Sequence, residues 1–277
     1  MRILIYGFAR LPQPPWDLMI DIHCHPLPET DDGAKSVEIA IEMLKMAGGD
    51  GITHLVATPH CNFRYAFDAE ANRRKAAEMQ AAVGAVPRIL LGCDFHLSYD
   101  NIRRLDNEGR DFAVNGTQYI LVEFDEHFIV EQMDHVFYDI QVAGFTPVLT
   151  HPERNPVCRR KIQGVYNWVT HGCLVQITAQ SYTGGFGSEA QRATEQLLDL
   201  NLVHVVASDA HDPVHRPPLL SRAYAKMAAE RGQALADLLF QKNPETIIFG
   251  RPFPPGPPPR SPERKKSGRK WLSFLGR

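Results

Sequence analysis

Apolar residues gather in seven runs of strand length, and each run ends on a polar residue of unusual chemistry. The runs cover residues 19–25, 51–60, 88–95, 119–124, 146–151, 173–179 and 202–211. Between them the spacing turns helical: within 36–47, Val37, Ala40, Ile41 and Leu44 share one face. Segments 68–83, 131–143, 157–171 and 188–200 behave alike, with Gly48, Gly84, Gly144 and Gly172 as stops. Only 97–116 resists typing. Strand–helix alternation repeated seven times predicts parallel strands with crossover helices. A closed α/β barrel collects reactive groups at the C-terminal ends of its strands. An open doubly wound sheet does so too, but with fewer strands, so a barrel is expected over 19–250.

Past Leu220, helical segments are expected at 221–231 and 234–241. The tail, 251–277, opens with seven prolines by Pro262 and cannot build a core, so disorder or polyproline II is expected there. Residues 1–18 read as a loosely attached leader, with Met19 a plausible alternative start. The apolar stretch 3–9 is at the short limit for a signal peptide, and no small-residue cleavage site follows it.

Of 277 residues, 44% are hydrophobic and 22% charged, an ordinary globular composition. The net charge of −2 hides an asymmetry: from Arg251 onward stand eight Lys/Arg and one acid, Glu263, so the preceding 250 residues carry a net −9. An acidic body argues against nucleic acid as a partner and suits a protein that holds divalent cations. The basic tail, ending Lys-Trp-Leu-Ser-Phe-Leu-Gly-Arg, could touch a partner or an anionic membrane surface. Five scattered cysteines without a Cys-x-x-Cys fit a reducing cytoplasm better than a disulfide framework. No apolar run approaches the ~18 residues that span a bilayer.

The candidate chemistry lies at the ends of the runs. His23 and His25 are two apart on a strand, so both can face one cation, and the loop after them can bring Asp32 back over the strand end. With His60, Asp94, Glu123, His151, Asp209 and His211 they make nine potential ligands. One catalytic zinc typically keeps three protein ligands, so two or three ions sharing carboxylates are expected. Such a site lowers the pKa of a bridging water and clamps attacking and leaving oxygens, which suits phosphoester hydrolysis. His54, His127, His135, His171 and His204 read as structural. A cysteine-based phosphatase is excluded, because no cysteine has Arg six places on, and Gly-x-Ser-x-Gly is absent. Thr-Gly-Gly-Phe-Gly at 183–187 lacks the lysine of a P-loop and reads as a mobile rim loop that could touch substrate. Arg154 and Arg216 stand just beyond two of the runs, and guanidinium forks match phosphate oxygens.

The ordered set Asp-Ile-His-Cys-His…Asp-Asp-Gly, Ala-Thr-Pro-His, Gly-Cys-Asp, Val-Glu-Phe, Thr-His-Pro-Glu-Arg and Ala-Ser-Asp-Ala-His…Arg-Pro-Pro resembles the polymerase and histidinol phosphatase (PHP) superfamily. Within it, the likeness is to bacterial tyrosine-protein phosphatases of the capsule and exopolysaccharide type, from about Met19 to Tyr224. The resemblance implies a distorted (β/α)7 barrel with a trinuclear site, usually manganese-loaded, with Fe, Zn, Co or Mg as other possible ions. It implies one ion on His23, His25, Asp94 and Asp209, a second on Asp94, Glu123 and His151, and a third on Asp32, His60 and His211. Arg154 and Arg216 would hold phosphate. The implied substrate is the phosphotyrosine-bearing tail of a cognate bacterial kinase that drives polysaccharide export. One departure is Asp94, where the group usually has Glu. A small-molecule phosphatase, such as one for histidinol phosphate, is the rival enzyme, and a non-catalytic binding module would lack ligands. The sequence leaves oligomeric state open, a homo-oligomer included.

Overall fold

The computed structural model describes residues 18–124 and 133–262. The elements alternate as the pattern predicts, with differences that have local causes. β1 (Met19–Cys24) leads to α1 (Val37–Gly49), whose first turn is capped by Ser36 accepting from the Ile39 amide. The run at 51–60 is cut by Pro59 into β2 (Ile52–Ala57) and β3 (His60–Cys61). After α2 (Ala69–Val83), capped by Asp68, the run at 88–95 divides at Gly92 and Cys93 into β4 (Arg88–Leu91) and β5 (Asp94–His96).

The untyped stretch contains α3 (Tyr99–Phe112), capped by Ser98. Its buried positions, Asn101, Leu105, Gly109 and Phe112, keep helical spacing, but two of them are not apolar. Asn101 is buried because its amide donates to the Cys61 and His96 carbonyls. Gly109 is there because a Cβ would lie 2.5 Å from the Phe145 ring. Hydrophobic periodicity cannot register either reason.

Then follow β6 (Tyr119–Glu123), α4 (Met133–Val142), β7 (Thr146–Thr150), α5 (Pro156–Arg160), α6 (Ile162–Thr170) and β8 (Leu174–Thr178). The single helix expected at 157–171 is broken at Lys161, whose φ/ψ of −120°/55° is not helical. α7 (Ala179–Tyr182), α8 (Gly187–Asp199), β9 (Val205–Ala207), α9 (Ser221–Arg231), α10 (Gln233–Asp237) and α11 (Asn243–Ile248) complete the fold.

All strand pairs are parallel, in two sheets ordered β1-β2-β4 and β3-β5-β6-β7-β8-β9. Thus the fold is mixed α/β, and the seven runs expected to form a barrel appear as nine strands in two parallel sheets. β1 also meets the end of β9: Asp209 donates its amide to the His23 carbonyl (2.8 Å), and His25 to that of Ala210 (2.9 Å). Asp21, fully buried in β1, ties the same junction by accepting from the Ser208 amide and hydroxyl.

An inner apolar cluster includes Ile20, Ile22, Val56, Leu121, Val148 and Val205, and Ile247 and Ile248 of α11 pack on it. Residues 251–262 differ from the disordered tail expected there, because they are fastened to the body. Tyr119 donates its hydroxyl to the Arg251 carbonyl (2.6 Å), Asn201 its amide to that of Pro258, and Arg260 its backbone N–H to that of Leu200. The ring of Phe253 meets Tyr119 and His204. The leader through residue 17, His127 and the basic end of the tail, 263–277, lie outside the described residues. No helix among the described residues is long and apolar enough to cross a membrane.

Candidate metal centre

The nine residues singled out in the sequence converge at one end of the molecule, where β1, β6, β7 and β9 finish and the short strands β3 and β5 begin with His60 and Asp94. Four groups of potential ligands form, each with donor atoms within 4.8 Å of one another: His25, Asp32, His60 and His211; His60, Asp94, His96 and Glu123; His23, His25 and Asp94; and His23, His151 and Asp209. His23 and His25 face each other, Nε2 to Nε2, at 3.2 Å. Each is fixed from behind through Nδ1: His23 by the Gln176 side-chain oxygen at 3.0 Å, His25 by Asp31 at 2.8 Å. Fixing one ring nitrogen sets which lone pair the other presents, as metal-ligating histidines require.

His151 and Asp209 reach the cluster through strained backbone, with φ of +32° and +52°. Residues other than glycine seldom adopt such angles. The backbone turns sharply there, just after β7 and β9, and each side chain turns inward.

Asp94 is fully buried, yet neither of its carboxylate oxygens has an aligned hydrogen-bond donor. His60 Nδ1 lies 3.0 Å and His23 Nε2 3.6 Å from Oδ2. A buried carboxylate without hydrogen bonds is costly, and ring nitrogens crowded around it without alignment are what a shared cation would organise. The donor set of imidazoles and carboxylates fits intermediate divalent ions. The residues present therefore fit a multinuclear metal centre.

Electrostatics separate the members. Burial opposes charge on His23, but the Asp209 and Asp94 carboxylates outweigh it and raise its pKa to about 9. Burial likewise opposes charge on His60, and Asp32 and Asp94 raise it nonetheless. Burial, followed by repulsion from Arg154, pushes His151 well below the ordinary histidine value. Burial and the nearby His25 lower His211 to about 4. Glu123 is raised by burial and by the neighbouring Asp94 charge.

Both arginines lie at this end. Arg154 Nη1 donates to Asp209 Oδ2, and Arg216 Nη2 donates to the same oxygen at 2.6 Å and to the Asp209 carbonyl at 3.0 Å. The other oxygen, Oδ1, lies 3.4 Å from His23 and 3.5 Å from His25. Asp209 thus faces the histidines on one side and the guanidiniums on the other. Arg216 Nε is buried and has no acceptor.

Sequence reasoning missed His96. Its Nε2 contacts Glu123 and lies 3.4 Å from the side-chain amide of Asn62. The signal was present in Asp94-Phe95-His96, a second pair two apart on a strand, like His23 and His25. Asp31 was passed over for Asp32, although it holds His25 and also accepts from the His60 amide. Glu153, fully buried beside Arg154, accepts from the Thr178 amide and hydroxyl and so anchors the start of α7. All five cysteines are free and buried, and burial raises the Cys24 thiol well above its usual value.

The sequence profile of the family described as capsular polysaccharide synthesis, CpsB/CapC, matches residues 19–249. A putative tyrosine-protein phosphatase CapC of Staphylococcus aureus is 34% identical over 212 residues, covering 74% of this chain and 82% of its own length. The tyrosine-protein phosphatase YwqE of Bacillus subtilis is 34% identical over 254 residues, covering 90% of this chain and 99% of its own length. A solved structure from work on YwqE and on CpsB of Streptococcus pneumoniae, described as unique metal-dependent tyrosine phosphatases, superposes with a TM-score of 0.81 at 32% identity, covering 89% of this chain and 100% of the other.

Proposed function

The chain belongs to the CpsB/CapC family of capsular polysaccharide synthesis, and from that premise we propose that it is a metal-dependent protein-tyrosine phosphatase. The observation that carries the proposal is Asp94: a fully buried carboxylate with neither oxygen hydrogen-bonded, crowded by histidines, one strand away from Glu123. His23, His25, Asp94 and Asp209 would hold one ion. Asp94, Glu123, His151 and the newly found His96 would serve a second, and Asp32, His60 and His211 a third. Manganese is the ion of choice, with iron, zinc, cobalt and magnesium as substitutes. When bound, such ions supply an activated water and neutralise phosphoryl charge.

The chain's own residues do the rest. Arg154 and Arg216 orient the phosphoryl group, since each guanidinium carries five N–H donors and only some are engaged by Asp209. Their charge is in place before the reaction, so transition-state charge is met without reorganisation. The phenolic leaving group, with a pKa of ~10, departs with little protonation. The substrate we assign is the phosphotyrosine-bearing tail of a cognate bacterial kinase, which places the enzyme in the cytoplasm and in control of capsule or exopolysaccharide synthesis. The two sheets, joined where β1 meets β9, are then one distorted (β/α)7 barrel.

The test is chelation followed by manganese re-addition, with metal content and hydrolysis of a phosphotyrosine peptide measured together. Activity should vanish and return with the metal. Full activity at zero metal would refute the proposal, and faster turnover of histidinol phosphate would shift it to the small-molecule reading.

A further inference from the structure

The glycine-rich loop at 183–187 lies between α7 and α8 and carries one large side chain, Phe186, half-buried. Its ring lies beneath both arginines, with the Cζ of Arg154 4.5 Å and that of Arg216 5.8 Å from the centroid. Two guanidiniums that converge on a single Asp209 oxygen repel each other. An aromatic face carries a negative quadrupole and can attract both. We propose that Phe186 is a positioning residue that holds Arg154 and Arg216 side by side as one anion-binding fork, a role that rests on the phosphatase reading above.

The loop is built to place that ring. Gly184 and Gly187 have φ of +90° and +86°, and a Cβ on Gly185 would lie 2.4 Å from Gln180 Cγ. Gln180 in turn donates its amide to the carbonyl of His215, next to Arg216, at 2.8 Å. On the opposite side, Glu153, next to Arg154, holds Thr178 at the start of α7. α7 is therefore fastened to the neighbours of both arginines, and the loop is tied to it by the Gly185 amide, which donates to the Gln180 carbonyl at 2.8 Å. Among the described residues, the Phe186 ring makes no ring–ring contact with the histidine cluster. Its effect on anions is exerted through the guanidiniums.

The probe is inorganic phosphate, titrated calorimetrically into manganese-loaded full-length protein, with metal content measured in parallel. Phe186→Leu keeps apolar bulk but removes the quadrupole, and Phe186→Trp restores it. We expect Phe186→Ala and Phe186→Leu to bind phosphate about tenfold more weakly, Phe186→Trp to recover to within about twofold, and metal content to stay constant in all three. Phosphate affinity unchanged in Phe186→Leu would overturn the inference, since packing alone would then suffice. Arg154→Ala separates the two levels of the argument. If it abolishes phosphate binding while the Phe186 variants do not, only the role of Phe186 falls. If Arg154→Ala also binds phosphate normally, the phosphate-fork reading falls and takes this inference with it. Should Phe186→Ala fail to fold, the Leu and Trp variants decide.

Discussion

The two ends of the strands in this molecule are opposites. At the C-terminal ends, histidines, acids and two arginines crowd together, His151 and Asp209 on strained backbone, and buried carboxylate oxygens lack aligned hydrogen-bond donors. At the N-terminal ends, α11 and residues 251–262 close over apolar side chains, and Tyr119 and Asn115 spend their side-chain donors on the carbonyls of Arg251 and Ile248. One end holds buried charged groups without hydrogen bonds, whereas at the other the buried atom left without a partner is a neutral amide oxygen, that of Asn243. Unmet demand in a folded protein marks the place where a ligand completes the structure, whereas satisfied surfaces only keep it folded.

If that contrast is right, damage at the first end should cost function far more than stability. Asp94→Asn is expected to lower turnover by a thousandfold or more, on the order of several kcal/mol of transition-state stabilisation, and to reduce bound metal. The metal-free variant should lose only a little stability in urea relative to the metal-free parent, because Asn keeps the shape of the side chain while giving up the attraction of Asp94 for His23 and His60. A large loss of metal-free stability would erase the distinction.

Arg154→Ala comes next, with turnover expected to fall about 10²–10³-fold, as for loss of one preorganised donor, while elemental analysis finds the metal retained. Equal loss of both would move Arg154 from substrate to structure.

At the opposite end the signs reverse. Phe253→Ala should lower unfolding free energy by roughly 1–2 kcal/mol, the scale for a partly buried aromatic side chain, and leave turnover on a phosphotyrosine peptide near the parental level. The smallest effect concerns His204, which accepts from the Val175 amide and is lowered to about 4 by burial. Because its folded pKa lies below the ordinary 6.5, the unfolded chain binds more protons between these values. Its contribution is therefore complete above pH 6.5 and is lost as pH falls toward 4. His204→Asn, which keeps an acceptor, should flatten that part of the urea-midpoint profile relative to the parent.

Much of the site was legible because strand periodicity and strand ends are one-dimensional signals: an apolar run followed by His, Asp or Glu can be read without knowing the fold. What could not be read was anything decided by an unseen neighbour. Gly109 in α3 answers to Phe145, Asn101 to two carbonyls, and Arg251–Pro262 to acceptor and donor positions on β6 and near α8. His96 was legible in principle, but it stood at the edge of a segment whose helix was disguised by polar buried positions.

Asp209 presents one oxygen to the histidine pair and the other to the guanidinium pair. A cation held at Oδ1 would weaken Oδ2 as an acceptor, so Asp209 would compete less with an incoming anion for the guanidinium donors. Thermodynamic reciprocity then obliges the anion to tighten the cation by the same factor, so cargo and cofactor would each be retained better in the other's company.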